Sequence, residues 1–152
     1  MINTKHIGLQ LPTVPFEVEK GRLRFFAKAT GETRPEYLDE QAARAAGYRS
    51  LPVPPTFLMG ADLDAGTMTT LLDTLGVPIE RILHGEQSFT YHAPVCAGDV
   101  LSVESKISDI YSKKGGAIEF IVKDSQIKDA QGETVVEARS VIVVRNPQEN
   151  AA

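Results

Sequence analysis

Two short stretches of the chain hold side chains that can transfer protons. Residues 31–37, GETRPEY, carry a carboxylate at Glu32 and a phenol at Tyr37, and residues 83–87, LHGEQ, carry an imidazole at His84. Carboxyl and imidazole groups act as general acids and bases when their pKa values lie near the ambient pH. A phenol, with an ordinary pKa of about 10, stays protonated at pH 7, so Tyr37 is a hydrogen-bond donor and a poor base.

The first stretch resembles the G-D-x-N-P-x-H signature of MaoC-like (R)-specific enoyl-thioester hydratases and dehydratases, in which Asp and His transfer the protons. Gly31 and Pro35 match this signature. Glu32 stands at the Asp position, Arg34 replaces Asn and Tyr37 replaces His. The resemblance implies addition of water to a trans-2-enoyl thioester, or its removal from a 3-hydroxyacyl thioester. Both proton-transfer positions of that reaction are altered here.

The same family usually stabilises the oxyanion with the backbone N–H of a glycine at the start of its central helix. The corresponding residues 53–57 read VPPTF, which places Pro55 at the glycine position. Proline has no N–H, so the donor is missing unless the Thr56 N–H replaces it. The turn is explained as a helix start, and Phe57 is also a candidate for the wall of a thioester tunnel.

A second set of motifs resembles one branch of this superfamily, the FAS1-like or MaoC N-terminal dehydratase domain. The motifs are LHGEQ at 83–87, YHAP at 91–94 and AGD at 97–99, and the combined resemblance covers about residues 16–145. Such domains resemble the acyl-binding subunit of two-subunit 3-hydroxyacyl-thioester dehydratases. In those enzymes a partner hot dog chain supplies the Asp and the His.

Three hypotheses for function follow. The first is a subunit of a hydratase or dehydratase that binds the acyl chain and pairs with a catalytic MaoC-like chain. The second is a self-sufficient homodimeric enoyl-CoA hydratase that uses Glu32 and His84 as its catalytic pair. The third is a non-catalytic acyl-thioester binding module. None requires a cofactor beyond the coenzyme A or acyl carrier protein that carries the substrate.

The residues expected to contact substrate are Tyr37, Pro55, Thr56, Phe57, Gly85, Glu86 and Gln87. Structural roles stay open for several of them. Glu32 either takes part in the chemistry or caps its loop, and Tyr37 either meets the substrate or packs with its hydroxyl bonded locally. Glu86 and Gln87 either line the acyl channel or satisfy backbone groups at a dimer seam, while His84 is either an acid/base group or part of a turn.

Composition narrows the remaining possibilities. The 152 residues predict a single domain over 1–152 with a frayed tail from about Asn146. A net charge of −4 without a basic run argues against nucleic acid as a partner. Cys96 is the single cysteine, which fits a reducing cytoplasm, and no apolar stretch approaches the ~18 residues of a membrane span. The three histidines are scattered, so no metal site is expected.

The period of the apolar residues predicts an α+β fold. Helices are predicted over 20–29, 39–47 and 56–75, the last with a possible break at Gly66. A short strand is predicted near 16–19, and longer strands from 81 onward, separated by hairpin turns at 113–116 and 129–132. The resemblance implies a hot dog fold, an antiparallel sheet wrapped around a long central helix. Because open sheet edges need protection, a homodimer or heterodimer is expected.

Overall fold

The computed structural model describes residues 1–64 and 66–147, which form four α-helices and five β-strands. The helices are α1 (Lys20–Ala29), α2 (Glu40–Ala45), α3 (Met59–Asp64) and α4 (Thr67–Leu75). The strands are β1 (Val14–Glu17), β2 (Ile82–Tyr91), β3 (Val100–Lys113), β4 (Ile118–Lys128) and β5 (Thr134–Arg145). Short 3-10 turns lie at Thr4–His6, Pro35–Tyr37, Ile79–Arg81 and Lys114–Gly116.

The strands form one antiparallel sheet in the order β1-β3-β4-β5-β2, so that β1 and β2 lie at its edges. β3, β4 and β5 follow one another as hairpins. In the turn between β4 and β5, Asp129 Oδ1 accepts the backbone N–H groups of Gln131 and Glu133 at 3.0 Å each. The α+β prediction, the strands after residue 81 and both predicted hairpins are confirmed.

One face of the sheet packs against the helices, and we call it the inner face. One cluster joins Leu58 and Ala61, in and just before α3, to Val103. A second joins Leu71 of α4 to Ile121 of β4. All five side chains are almost fully buried. Burial of a large apolar side chain contributes roughly 1.5–3 kcal/mol, so these contacts hold the helices on the sheet.

The predicted central helix over 56–75 is divided into α3 and α4. The first segment begins only at Met59, because Thr56 has a φ of 70° in the left-handed region. The second begins after Gly66, whose φ is 71°, at the break that the sequence indicates. Ala65 lies outside the described residues. In the described ranges no helix combines the length and the apolar character that crossing a bilayer requires.

A β-bulge at Gly85 decides which side chains of β2 face the helices. The register against β5 shifts by one residue between His84 and Glu86. Side chains alternate along a strand, so after the shift Gln87 and Tyr91 lie on the inner face. Glu86 lies on the opposite, outer face.

Both ends of the described chain are bonded to Glu119 of β4, which is 3% exposed. Its Oε1 accepts the Ile2 N–H at 2.7 Å, and its Oε2 accepts Asn146 Nδ2 at 2.6 Å. The Asn146 N–H also donates to the Ala117 carbonyl at 3.0 Å. Asn146, where the predicted tail begins, is therefore held through both its backbone N–H and its side-chain amide. The part of the predicted tail over 148–152 lies outside the described residues.

Gly85→Ala is expected to destabilise the protein by about 1–3 kcal/mol, because the added Cβ would lie 2.7 Å from Val143 Cγ2 and 3.1 Å from the Val141 carbonyl oxygen. Gly21→Ala in α1 is the matched control. Apart from the neighbouring residues and the backbone of α1 itself, no atom lies within 4 Å of that Cβ position, so a stabilisation of about 0.5–1 kcal/mol is expected. Urea unfolding measures both values, and similar effects of the two substitutions would contradict the close approach at Gly85.

Candidate functional site

The loop after α1 is built on a glycine-terminated helix cap. α1 ends at Ala29, and Gly31 follows with a φ of 73°. The Gly31 N–H donates to the Lys28 carbonyl at 3.2 Å, and the Glu32 N–H donates to the Ala27 carbonyl at 2.8 Å. These two bonds are the Schellman motif, which fixes the backbone of Glu32 to the helix end.

The Glu32 carboxylate is engaged by Arg34. Its Oε1 accepts the backbone N–H groups of Thr33 and Arg34 at 3.0 Å each, and Arg34 Nε at 3.1 Å. Its Oε2 accepts Arg34 Nη2 at 2.7 Å. The Arg34 side chain is the main reason that the pKa of Glu32 falls to about 2. A carboxylate with that pKa is a very weak base at neutral pH, so the geometry favours the loop-capping alternative for Glu32.

Tyr37 lies at the end of the 3-10 turn that begins at Pro35. It is 9% exposed, and the Arg34 guanidinium lies 4.7 Å from the centre of its ring. Burial raises the pKa of the Tyr37 phenol above its usual range, and Arg34 offsets part of this effect. Tyr37 is therefore protonated at neutral pH, as the sequence predicts, and it is available as a hydrogen-bond donor.

Tyr37 forms part of the wall of a groove of about 350 Å³. The lining residues are Tyr37, Tyr48, Pro52, Val53, Pro55, Tyr91, His92, Ala93, Pro94 and Val95. Residues before α3 form one side, and the end of β2 with the turn after it forms the other. Ligand pockets span about 300–1,000 Å³, so the groove is large enough for part of an acyl thioester. Tyrosine rings and prolines give it rigid, mostly apolar walls with polar tips.

The Thr56 N–H, the alternative oxyanion donor, is bonded across the groove. It donates to Tyr91 Oη at 3.1 Å. Pro55, which lines the groove beside it, has no N–H to offer. The φ of 70° at Thr56 costs a residue with a Cβ roughly 1–2 kcal/mol. The backbone donor beside the groove is thus satisfied, and an acceptor on a ligand must displace the Tyr91 hydroxyl to reach it.

His92 stands at the rim of the groove and is paired with a carboxylate. Its Nε2 lies 3.0 Å from Glu137 Oε2, and both side chains are exposed. A carboxylate in this position orients an imidazole, as it does beside many catalytic bases. The sequence assigns no role to His92 or Tyr91, although both stand in the run at 91–94 that carries the family resemblance. Their contacts are with residues 45 and 35 positions away, which no local pattern reveals.

Three other predicted site residues lie away from the groove. Phe57 is 6% exposed in the core, with its ring centre 5.4 Å from that of Phe26. Gly85 forms the β-bulge, and Glu86 follows it on the outer face of the sheet. Their positions are explained by packing and strand geometry.

His84 and Gln87 line a separate cavity of about 20 Å³ between β2 and the helices, which Glu32 does not line. The Gln87 Oε1 accepts the Ser140 hydroxyl at 2.5 Å. This side-chain bond joins β2 to β5 within the chain. Within one chain, Glu32 and His84 line no common pocket.

A larger concavity, of about 490 Å³, lies on the outer face of the sheet. Its walls are mainly polar, and they include Asp124 and Arg139, which are joined by a 2.7 Å bond from Nε to Oδ1. Apolar chains gain little from such walls, so the smaller groove is the better candidate for acyl binding. Within the described residues, no three His, Cys, Asp or Glu side chains converge as a metal site requires.

A family model covers most of the chain. The FAS1-like, dehydratase domain region matches residues 5–138. The chain belongs to the FAS1-like dehydratase family. Its relatives include the UPF0336 protein of Streptomyces avermitilis, which is 38% identical over 138 residues that cover 91% of each chain. The UPF0336 protein of Clavibacter michiganensis subsp. michiganensis is 40% identical over 148 residues, covering 95% of this chain and 96% of the relative.

Solved structures agree with the assignment to the FAS1-like dehydratase family. A chain of the C-terminally truncated HadBC (3R-hydroxyacyl-ACP dehydratase) complex from Mycobacterium tuberculosis matches with a TM-score of 0.81 and 26% identity, covering 91% of this chain and 96% of that one. The (R)-hydratase from A. caviae matches with a TM-score of 0.68 at 20% identity, covering 93% and 96%, and shows the fold alone. The predicted hot dog fold and the predicted branch of the superfamily are confirmed.

The Glu32–Arg34 pair is expected to make stability depend on pH. The folded protein lowers the pKa of Glu32 from its ordinary value of 4.5 to about 2, so the pair stabilises the fold above pH 4.5 and loses this effect as the pH falls towards 2. The difference in unfolding free energy between wild type and Glu32→Gln should therefore shrink over that range. In an Arg34→Gln background the same comparison should show a smaller pH dependence, because only the backbone N–H groups of residues 33 and 34 still bind Glu32. An unchanged dependence would contradict the pairing.

Tyr91→Phe is expected to lower the free energy of unfolding by about 0.5–1.5 kcal/mol, because the Thr56 N–H loses its partner. The amide chemical shift of Thr56 should change as well. Tyr111→Phe is the control, since Tyr111 stacks on Phe120 through its ring. Urea unfolding and amide NMR check both variants, and equal stability losses would argue against the contact between Thr56 and Tyr91.

Proposed function

We propose that this chain is the acyl-binding subunit of an (R)-specific enoyl-thioester hydratase or 3-hydroxyacyl-thioester dehydratase, and that a partner hot dog chain supplies the proton-transfer groups. The observation that carries the proposal is the engagement of Glu32. Both of its oxygens are bonded to Arg34, and its pKa is about 2. The carboxylate at the family's Asp position is therefore a poor proton acceptor, and a second chain must provide one.

Two further residues support the proposal that this chain binds the substrate but does not catalyse the reaction by itself. Tyr37, at the family's His position, is a buried and protonated phenol. Pro55, at the position of the family's glycine, has no N–H, and the next N–H is bonded to Tyr91. The positions of the base, the acid and the oxyanion donor are thus all altered relative to the family signature. Such a set of changes removes the hydration chemistry while keeping the scaffold.

The groove is suited to hold the acyl part of a thioester. Val53, Pro55 and Val95 offer apolar surface, while the hydroxyl of Tyr37 and the imidazole of His92 offer polar contacts. A few polar groups in a mostly apolar cleft orient a ligand and give it specificity. Substrate bound here would lie beside the edge strand β2, where a partner chain can reach it.

β2 is the natural place for the partner. It is ten residues long and forms one edge of the sheet. Leu83 and Tyr91 on this strand are 53% and 48% exposed. A long open edge with exposed apolar side chains is a ready template for pairing with another chain. The similar HadBC structure, at 26% identity, is a complex, which supports a heterodimer.

One observation favours a second candidate, a self-sufficient homodimeric hydratase. His92 and Glu137 form a histidine–carboxylate pair at the groove, with 3.0 Å between Nε2 and Oε2. An oriented imidazole can act as a general base. In this candidate His92 takes the role that the sequence suggests for His84. The homodimer would place the same edge strand against its own copy.

Hydration of crotonyl-coenzyme A, followed by loss of the enoyl absorbance, tests the proposal. The purified chain alone should be inactive, and activity should appear when a MaoC-like chain encoded beside it is added. In the active complex Glu32→Gln should retain activity within a few fold, whereas removal of a true acid/base group costs ~10²–10⁴-fold. Activity of the lone chain would overturn the proposal.

Variants then separate the alternatives. If the lone chain is active and His92→Ala abolishes the activity while His84→Ala does not, the homodimeric enzyme with His92 is correct. Loss of activity in Glu32→Gln or His84→Ala would favour the pair suggested by the sequence. Binding of crotonyl-coenzyme A without turnover, with the partner present and folded, would indicate a non-catalytic binding module.

A further inference from the structure

The exposed side of α1 carries an aromatic ring between two cations. Helical spacing places Gly21, Arg24, Phe25 and Lys28 on one face, and we call these four residues the α1 face. Phe25 is 76% exposed, whereas Leu23 and Ala27 on the opposite side of the helix are fully buried. Phe25 thus contributes little to the core. A solvated aromatic ring flanked by charges is typical of the anchor residues of protein interfaces.

The two cations of the α1 face, Arg24 and Lys28, differ from the neighbouring cations in their bonding partners. Lys20, Arg22, Arg34 and Arg49 form ion pairs with Glu40, Asp64, Glu32 and Asp99, respectively. Arg24 instead donates Nε to the Leu38 carbonyl at 3.2 Å. Among the described residues, neither Arg24 nor Lys28 has a carboxylate partner. Their charges are therefore available to a partner of opposite sign.

The surrounding sequence has an opposite charge balance to the rest of the chain. Residues 20–49, which include α1 and α2, hold seven Lys and Arg against four Asp and Glu, a net charge of +3. The whole chain has a net charge of −4. An acidic protein is thus attracted to this region and repelled elsewhere, which gives the encounter a preferred orientation.

The α1 face is connected to the groove. The bond from Arg24 to Leu38 places α1 beside the turn that ends in Tyr37, a groove residue. The Tyr48 N–H donates to the Ala43 carbonyl of α2 at 3.0 Å, so α2 leads directly into the same side of the groove as Tyr37. A protein seated on α1 would lie next to the groove, and a flexible acyl tether from it can enter.

We propose that the α1 face docks an acidic acyl carrier protein, which delivers the acyl thioester to the groove. The inference rests on the proposed function and identifies the form in which the substrate arrives. The exposed Phe25 ring decides between the two carriers, because a protein partner covers an apolar ring while the phosphates of coenzyme A do not. Arg24 and Lys28 then pair with carboxylates of the carrier protein around this anchor.

Binding of fluorophore-labelled crotonyl-acyl carrier protein to the full chain, measured by fluorescence anisotropy, tests the inference. The double variant Arg24→Glu/Lys28→Glu should bind about 10-fold or more weakly, since two attractive charges become repulsive. Lys28→Glu alone should show a smaller loss, and Phe25→Ala should also weaken binding. Wild-type binding should weaken between about 50 and 300 mM NaCl, because salt screens exposed charges.

Lys113→Glu/Lys114→Glu is the matched control. It makes the same change of charge at the β3–β4 hairpin, at the opposite end of the sheet from Tyr91. This variant should bind the carrier protein within about 2-fold of wild type. Strand β3 runs about 30 Å from its pairing with β1, which directly precedes α1, to this hairpin, and the screening length is only about 10 Å at 0.1 M salt. Equal losses in the two double variants would overturn the α1 face as the docking site.

The experiments distinguish a failure of the docking inference from a failure of the proposed function. If the partner complex hydrates crotonyl-coenzyme A but the α1 variants bind the carrier protein as wild type does, only the docking inference is wrong. If the α1 variants lose assembly with the catalytic chain in size-exclusion chromatography, the α1 face is a subunit interface and the inference is overturned. If no turnover occurs with any partner but wild type and variants bind the carrier protein as predicted, the docking inference holds and the proposed enzymatic function is wrong.

Discussion

Val143 packs so closely over Gly85 that a side chain at this position of β2 has no room, and the strand accommodates one extra residue relative to β5. From this point every side chain of β2 changes face. Because of the shift, Tyr91 points to the helices and meets Thr56, and Gln87 meets Ser140. An unshifted β2 would turn Tyr91 to the outer face and open one wall of the groove.

The loop at residues 31–37 retains the backbone of a catalytic motif while its side chains bond to one another. The helix cap fixes the position of Glu32, and the 3-10 turn fixes that of Tyr37. Arg34 lies between them, bonded to the carboxylate and stacked over the ring. The same guanidinium therefore lowers the basicity of Glu32 and orders the wall of the groove. One substitution relative to the family signature thus changes both electrostatics and shape.

Much of the fold follows from local patterns in the sequence. The helix over 20–29 and the hairpins were predictable because apolar period and Gly-rich turns act over a few residues. Capping by Glu32 could also be anticipated, since its partner is two positions away. The positive φ of Thr56 could not, because the apolar spacing continues through that residue. Nor could the outward position of Glu86, which depends on a bulge set by a distant strand.

Glu119 accepts hydrogen bonds from both Ile2 and Asn146. The two ends of the described chain meet at one buried carboxylate, so the polypeptide is nearly a closed ring. A circular permutant joined there by a short linker would keep the sheet order intact, with new termini placed in an exposed turn.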